Sequence, residues 1–585
     1  MKLFMRSFLS FVLLASATLV QADCCNSQLG CNTKHSGCNC HSIFIPRSTN
    51  SNTAYNFLPF AHKDVSCDWN GGFDLGVEYQ QTFGHDIAKC LFGTNTLLFQ
   101  GSQLANRSEN ALIADNFGLS PVFSGSIKFS PRIENFNVHF QSYLGFDSVL
   151  EGLYGQVNFT FTHQKRELID DDCNKCADTT VTSTNNNIPF PAGYMAATVV
   201  APFTTIKEAL IGKTFGDMQT EWKFGKFDFS EMTKNEIAGV DVILGYDFWR
   251  KECGHFGAFF QYTAPTGNKP CADYFFSPVV GNGKHHELGG GITAHYKLWE
   301  GDCNNAILIY LDGHITTMLE NNQVRSFDFK DAGCMSRYML LKELTSTGTS
   351  ADGYEYNGQL INGINFATRQ VKVKVPVKGD ATLRFIYQTG GFDLGLGYNI
   401  YGQDREKVRC FSNPCDALTE GKFYGKKGCT GTDYFFYDVA AGAITGHNVD
   451  FVNHLNATES DAAITACGTV DHPFTVSSAT EIGADWINFF TLGVNADSIS
   501  DTTAVARVTA TSVSEPAVVL TTDDLDVRAG RAPRQLIHKG FATVNYNWRD
   551  CDWAPYIGFG AEVEGGSNHC DLKQWGVWFK GGISF

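Results

Sequence analysis

Side-chain polarity alternates residue by residue along much of this chain. A period of two is the mark of a strand with one apolar and one polar face. Phe73, Leu75, Val77 and Tyr79 fall on one parity, and Asp74, Gly76, Glu78 and Gln80 on the other. Phe136, Val138 and Phe140 oppose Asn137, His139 and Gln141, and Val157, Phe159 and Phe161 oppose Asn158 and Thr160. The pattern returns at Phe392, Leu394, Leu396 and Tyr398 against Asp393 and Asn399, and at Ile557, Phe559, Ala561 and Val563 against Glu562. A soluble sandwich also alternates. Here, however, the runs come close to the ~9–11 residues that cross a bilayer obliquely, and their apolar face is rich in aromatics. Charged residues are only 18% of the chain, against roughly 25% in an ordinary soluble domain. The sequence therefore predicts an all-β fold, a transmembrane antiparallel up-and-down β-barrel with long extracellular loops and short periplasmic turns.

The two ends of the chain agree with that expectation. Lys2 and Arg6 precede an apolar stretch from Ser7 to Val20, and Ala22 offers a small-residue cleavage site. Residues 1–22 read as an export signal, with Asp23 starting the mature chain. Beyond Ala22 no apolar run nears the ~18 residues of a helical span. At the other end, Trp575, Val577, Phe579, Ile583 and Phe585 share one face of a final strand, with Lys580 on the opposite face.

Strands are expected near 73–80, 94–101, 122–130, 135–146, 152–163, 220–229, 238–248, 255–263, 287–298, 305–316, 380–388, 391–402, 538–549, 554–563 and 573–585. Adding 194–203 makes the number even and puts the long segments 164–193, 264–286, 317–379 and 403–537 on one side. The expectation is about 16 strands, within 14–18. Residues 102–121 and 204–219 read as inner connections, each carrying a short capped helix. Trp69, Trp249, Trp299, Trp548 and Trp553 all flank the short-turn end, where an interface belt favours tryptophan. Three regions result: the signal 1–22, a cysteine-rich periplasmic segment 23–66, and a barrel over 67–585 with a large insertion at 403–537.

The opposite parity gives the expected lumen lining: Asp74, Glu78, Lys128, His139, His295, Lys297, Arg384, Asp393, Glu562 and Lys580. A ring of about 16 strands encloses water, and this mixed-sign wall suits small hydrophilic solutes. The net charge of −16 excludes nucleic acid as a partner, since that requires a basic footprint. No catalytic, nucleotide or metal motif is complete. Gly212-Lys-Thr lacks its upstream glycine, and His285-His-Glu287 lacks a second zinc histidine. The chain is expected not to be an enzyme and to carry no cofactor.

There are 19 cysteines, and export leads to an oxidising compartment in which disulfides are the default. Cys24, Cys25, Cys31, Cys38 and Cys40 crowd the amino terminus. Cys67, Cys253, Cys303 and Cys551 map to the short-turn end, and Cys334 and Cys570 to the long-loop side. Cys173 and Cys176 read as a loop disulfide. Crosslinks to neighbouring molecules, including a second copy, are one use for so many thiols.

On the signal, the alternation, the tryptophan rim and the terminal Phe585, the mature chain resembles the porin-like outer-membrane β-barrels of bacteria. Ala264-Pro-Thr-Gly-Asn-Lys-Pro270, Val280-Gly-Asn-Gly283 and Leu288-Gly-Gly-Gly-Ile292 resemble segments of barrels from intracellular bacteria. A fainter likeness is to the long-chain fatty-acid transporter channels. The resemblance implies location in the outer membrane, lipid and the barrel assembly machinery as partners, and Phe579, Ile583 and Phe585 as the assembly signal. It implies a porin-like channel for passive diffusion. The alternatives are a disulfide-linked structural or adhesive envelope protein and a hydrophobic-compound transporter.

Overall fold

The computed structural model describes residues 40–52, 54–55, 70–83, 86–101, 104, 107–168, 201–301, 305–346, 354–409, 411, 422–427, 437–440, 443–447, 462–465, 518–548 and 553–585. Twelve antiparallel strands close into a barrel. They are β1 Gly71–Thr82, β2 Arg132–Gly145, β3 Leu153–Glu167, β4 Met232–Lys251, β5 Gly254–Ala264, β6 Glu287–Glu300, β7 Ala306–Ser326, β8 Thr368–Thr389, β9 Phe392–Gln403, β10 Gln535–Asn547, β11 Ala554–Gly566 and β12 Gln574–Ser584. Each strand pairs with its neighbours in sequence, and β1 pairs with β12 from Gly72↔Ser584 to Thr82↔Gln574. Beyond that register the Phe585 N–H donates to the Gly71 carbonyl at 2.9 Å, sealing the seam at the chain end. A short extra strand, Lys407–Arg409, adds to β8 at Lys372–Lys374.

Twelve strands replace the expected 16, and three of the expected strands lost lie within the described residues. Residues 96–100 and 124–128 do pair with each other, but in a small sheet with Leu112–Ile113 that lies outside the ring. Residues 220–229 form no strand. The fourth, 194–203, lies almost wholly outside the described residues. The apolar face of 96–100 and 124–128 meets protein: Leu97, Phe99 and Ile127 sit in the main apolar cluster. Alternation signals a two-faced strand and does not say whether the apolar face meets lipid or protein. The short connections 146–152, 252–253, 301–305, 390–391 and 548–553 fall at one end of the barrel. Residues 83–131 and 168–231 join the opposite end, so neither helical stretch read as an inner connection lies on the short-turn side. The second of these is a short helix, Ile206–Leu210, capped by Thr205, which accepts from the Glu208 N–H at 3.2 Å. The first is a 3-10 turn, Ala114–Phe117.

Two kinds of interior result. At the long-connection end the loops pack into an apolar cluster that includes Phe99, Phe117, Trp222, Phe227, Phe329, Tyr338 and Leu340. Within the ring the inward parity is polar and almost unexposed. The outward parity is apolar and exposed, with Leu75 56%, Leu244 55%, Leu396 68% and Phe559 53% accessible.

Candidate functional site in the barrel lumen

The lumen is occupied by the chain itself. Residues 40–52, 54 and 55 form a strap that runs into the ring from the long-connection end, where Cys40 is disulfide-bonded to Cys334 in the 327–367 connection. This strap is short of charge: Pro46-Arg-Ser-Thr-Asn-Ser-Asn52 carries one arginine and no acid. Such a run has no apolar face with which to make a core, but it is rich in hydrogen-bonding groups that a charged wall can use.

The strap residues bond in turn down the barrel. Arg47 forms an ion pair with Asp380 of β8 and donates to Asn399 Oδ1 of β9 at 3.1 Å. Thr49 and Thr162 of β3 share a hydroxyl hydrogen bond of 2.6 Å. Asn50 donates to Asp241 of β4 at 2.6 Å. Asn52 donates to Glu78 of β1 at 2.6 Å and accepts from Lys539 Nζ of β10 at 2.9 Å. Tyr55 then stacks on the His139 ring of β2 with centroids 4.0 Å apart, and Lys580 Nζ of β12 lies over the Tyr55 ring, 5.3 Å from its centre. Six barrel strands and more are thus crosslinked through one extended segment. Hydrogen bonds to charged partners each contribute roughly 1.5–3 kcal/mol, so the strap's hold is strong in aggregate.

Beneath the strap the wall is a continuous ionic network. Glu78 accepts from His139 Nε2 and from Asn137, each at 2.9 Å. Lys539 lies 2.9 Å from Glu562 and 3.1 Å from Glu564. Asp74 accepts from the Tyr556 hydroxyl at 2.7 Å. Charges removed from water demand such pairing. Inward glycines make the room. A Cβ at Gly76 would overlap the Tyr55 hydroxyl, and one at Gly560 would overlap the Trp578 indole.

Of the residues expected to line the lumen, Asp74, Glu78, His139, His295, Arg384, Asp393, Glu562 and Lys580 are buried on the inward face. Lys297 shares that parity but pairs with Glu300 at 3.1 Å near the short-turn rim. Lys128 is a correction: its strand belongs to the small outer sheet, so it is not in the ring. Phe579 and Phe585 stand on the outward face, 52% and 40% exposed, and Ile583 shares their parity. Trp299, Trp548 and Trp553 are exposed at the short-turn end and Trp249 is half-buried there; Trp69 lies outside the described residues. The sequence reading missed the strap, which it placed in a periplasmic segment. The available signal was a polar, acid-free run just upstream of an acid-rich wall.

Of the six described cysteines, Cys40–Cys334 and Cys90–Cys570 are joined within the chain, and Cys253 and Cys271 are free. The remainder, including Cys24, Cys25, Cys31, Cys38, Cys67, Cys173, Cys176, Cys303 and Cys551, lie outside the described residues. No group of three or more potential metal ligands occurs among the described residues.

No family model and no curated protein matches the chain. Solved structures similar to it are outer-membrane barrels. An outer membrane channel from Pseudomonas putida F1 aligns over 90% of this chain and 100% of its own, with 9% identity and a TM-score of 0.34. The TodX monoaromatic hydrocarbon channel, in a deletion mutant, covers 89% and 90% with 8% identity and a TM-score of 0.28. A Pseudomonas aeruginosa FadL homologue covers 88% and 90% with 8% identity and a TM-score of 0.24.

Proposed function

We propose that this protein is a bacterial outer-membrane channel for small hydrophilic solutes that stands closed, with the strap of residues 40–52, 54 and 55 as its internal plug. The carrying observation is the strap itself. It occupies the polar lumen along its length through hydrogen bonds and one ion pair. An exposed apolar band as wide as the outward parity of β1–β12 marks a contact surface, and a closed barrel is one of the two folds that can span a bilayer, which supports a membrane setting. Twelve strands make a ring between the side-chain-filled eight-stranded barrel and the open sixteen-stranded one, wide enough for one extended chain and, once that chain leaves, for water. No step of this function calls for a catalytic group, and lipid and the assembly machinery are its expected partners.

A second reading is favoured by the near-zero exposure of Asp74, Glu78, Asn137 and His139: a permanently filled barrel with a structural envelope role. Planar-bilayer recording on refolded full-length protein separates the two. The channel reading expects sparse openings in the native chain. It expects sustained conductance when Arg47, Asn52 and Tyr55 are all replaced by alanine. Silence from both proteins would refute the channel and leave the structural role.

A further inference from the structure

We propose that a cavity at the long-connection end is a binding site for a small oxyanion, phosphate being its simplest representative. The cavity lies where the strap, the 265–286 connection and the ends of β3 and β7 meet, and Arg166 at its wall is linked to the ionic network of the lumen through Gln164, Asn135 and Gln80. Three arginines line it, Arg166, Arg325 and Arg337, and none of its lining residues is acidic. All three are buried, each at 1% exposure.

Each arginine is anchored on one side and keeps at least one buried N–H without an acceptor among the described residues on the other. Arg166 donates from Nε to Gln164 Oε1 at 2.9 Å and from Nη1 to the Phe44 carbonyl at 3.2 Å, both neutral acceptors. Its guanidinium sits 5.0 Å from the centre of the Phe276 ring. Nη2 has no acceptor among the described residues. Arg337 grips Asp328 with Nε and Nη2, both at 2.9 Å, and leaves Nη1 without a partner there. Arg325 gives Nη2 to Glu406 at 3.0 Å and leaves Nε and Nη1 unmatched.

The charge balance is therefore incomplete. Asp328 offsets Arg337 and Glu406 offsets Arg325, but no described carboxylate offsets Arg166. A buried guanidinium is tolerated when an anion completes its hydrogen bonding. The free N–H groups of three arginines around one cavity are the donor set a tetrahedral oxyanion takes. Size narrows the choice further. The cavity holds about 30 Å³, whereas one water needs roughly 10–15 Å³. That is room for a small ion or a few waters. Cys271 and Tyr274 belong to the lining and are exposed, so the cavity communicates with solvent. Ser42, Ile43 and Phe44 of the strap also line it, and a bound ion would tie the strap to the connections around it. This inference does not depend on whether the barrel conducts.

The test is protection of Cys271. Refolded full-length protein is labelled with an uncharged maleimide at fixed ionic strength, and the Cys271 peptide is followed by mass spectrometry. Inorganic phosphate is expected to slow labelling at least fivefold, with saturation, while equal chloride does not. In Arg166→Gln the protection should disappear. Unprotected labelling in the native chain would overturn the proposal and point to a carboxylate of the chain itself as occupant, as would full protection retained in Arg166→Gln. Glycerol phosphate serves as the headgroup probe, and protection by it alone would overturn assignment to a free ion. Should Arg166→Gln fail to fold, saturable protection in the native protein still decides the matter.

Discussion

Arg47→Met is the most direct probe of the lumen strap. Methionine keeps the unbranched length and removes the charge, so Asp380 loses the cation that the docked strap supplies. Asn399 also loses a hydrogen bond of 3.1 Å. Removing one partner of a buried ion pair costs about 3–5 kcal/mol, because the survivor remains out of water. Here the strap has an escape: it can undock and let water reach Asp380. The cost therefore falls on docking, and the ratio of docked to undocked strap drops by a factor of roughly 10²–10⁴. Chymotrypsin reads this directly. Phe44 and Tyr55 are 3% and 0% exposed, so cleavage beside them requires undocking, and its rate follows the open population when redocking is fast. The expected outcome is a rise in cleavage of at least a hundredfold, with barrel closure verified by gel migration before and after heating. Asp380→Asn should act similarly. The double variant should lose less than the sum, with a coupling of about 0.5–3 kcal/mol. Cleavage at the native rate in Arg47→Met would refute the claim that this pair holds the strap.

Three further outcomes follow from neighbouring contacts. Gly76→Leu should expel Tyr55 from its place beside His139 and raise cleavage at Tyr55, whereas Gly540→Ala, which meets nothing within 4 Å, should be silent in the same assay. Burial holds the His41 imidazole down to about 4, against smaller opposing contributions from the backbone of Arg528 and Arg531. A released strap therefore takes up a proton below about pH 6.5 that the docked one refuses, and docking should weaken from there down to about pH 4 by at most ~3 kcal/mol, with no change above. Cleavage measured against pH should show that window, and His41→Gln should flatten it. Non-reducing peptide mapping should recover Cys40 with Cys334 and Cys90 with Cys570, and Cys40→Ser should cost about 2–4 kcal/mol in strap docking. Recovery of Cys40 joined to a peptide of a second copy would contradict the intramolecular pairing.

The wall of the barrel was legible because its physics is local. Period two in Phe73–Gln80 or Phe392–Asn399 fixes the strand and its inward face at once, and eight of the ten expected lining residues are buried within the ring. Strand number was not local. Thr96–Gln100 and Ser124–Lys128 alternate as well as any barrel strand, and what excludes them is the tertiary packing of Leu97, Phe99 and Ile127 against Phe92, Phe117 and Phe129 in the loop cluster. Alternation states that a face is apolar, and only the assembled fold states what covers it.

The strap was illegible for a different reason. Its partners are spread from Glu78 to Lys580, and nothing within Pro46–Tyr55 has a period or a motif. Yet the two halves are chemically matched. The wall presents carboxylates at Glu78, Asp241, Asp380 and Glu562, and the strap answers with Asn52, Asn50 and Arg47, which donate, and no acid that would repel. Desolvated carboxylates that lacked these donors would be costly, so a wall with this many inward acids needs either water or a donor-rich filler. In a ring of twelve strands the filler prevails while it is pinned at Cys40 and Arg47. On the proposed channel reading, the same wall, hydrated after the strap leaves, is the conduit. A lumen rich in acid next to an acid-free polar segment in the same chain is thus the pairing to look for in a sequence, since neither half is stable in a narrow barrel without water or the other.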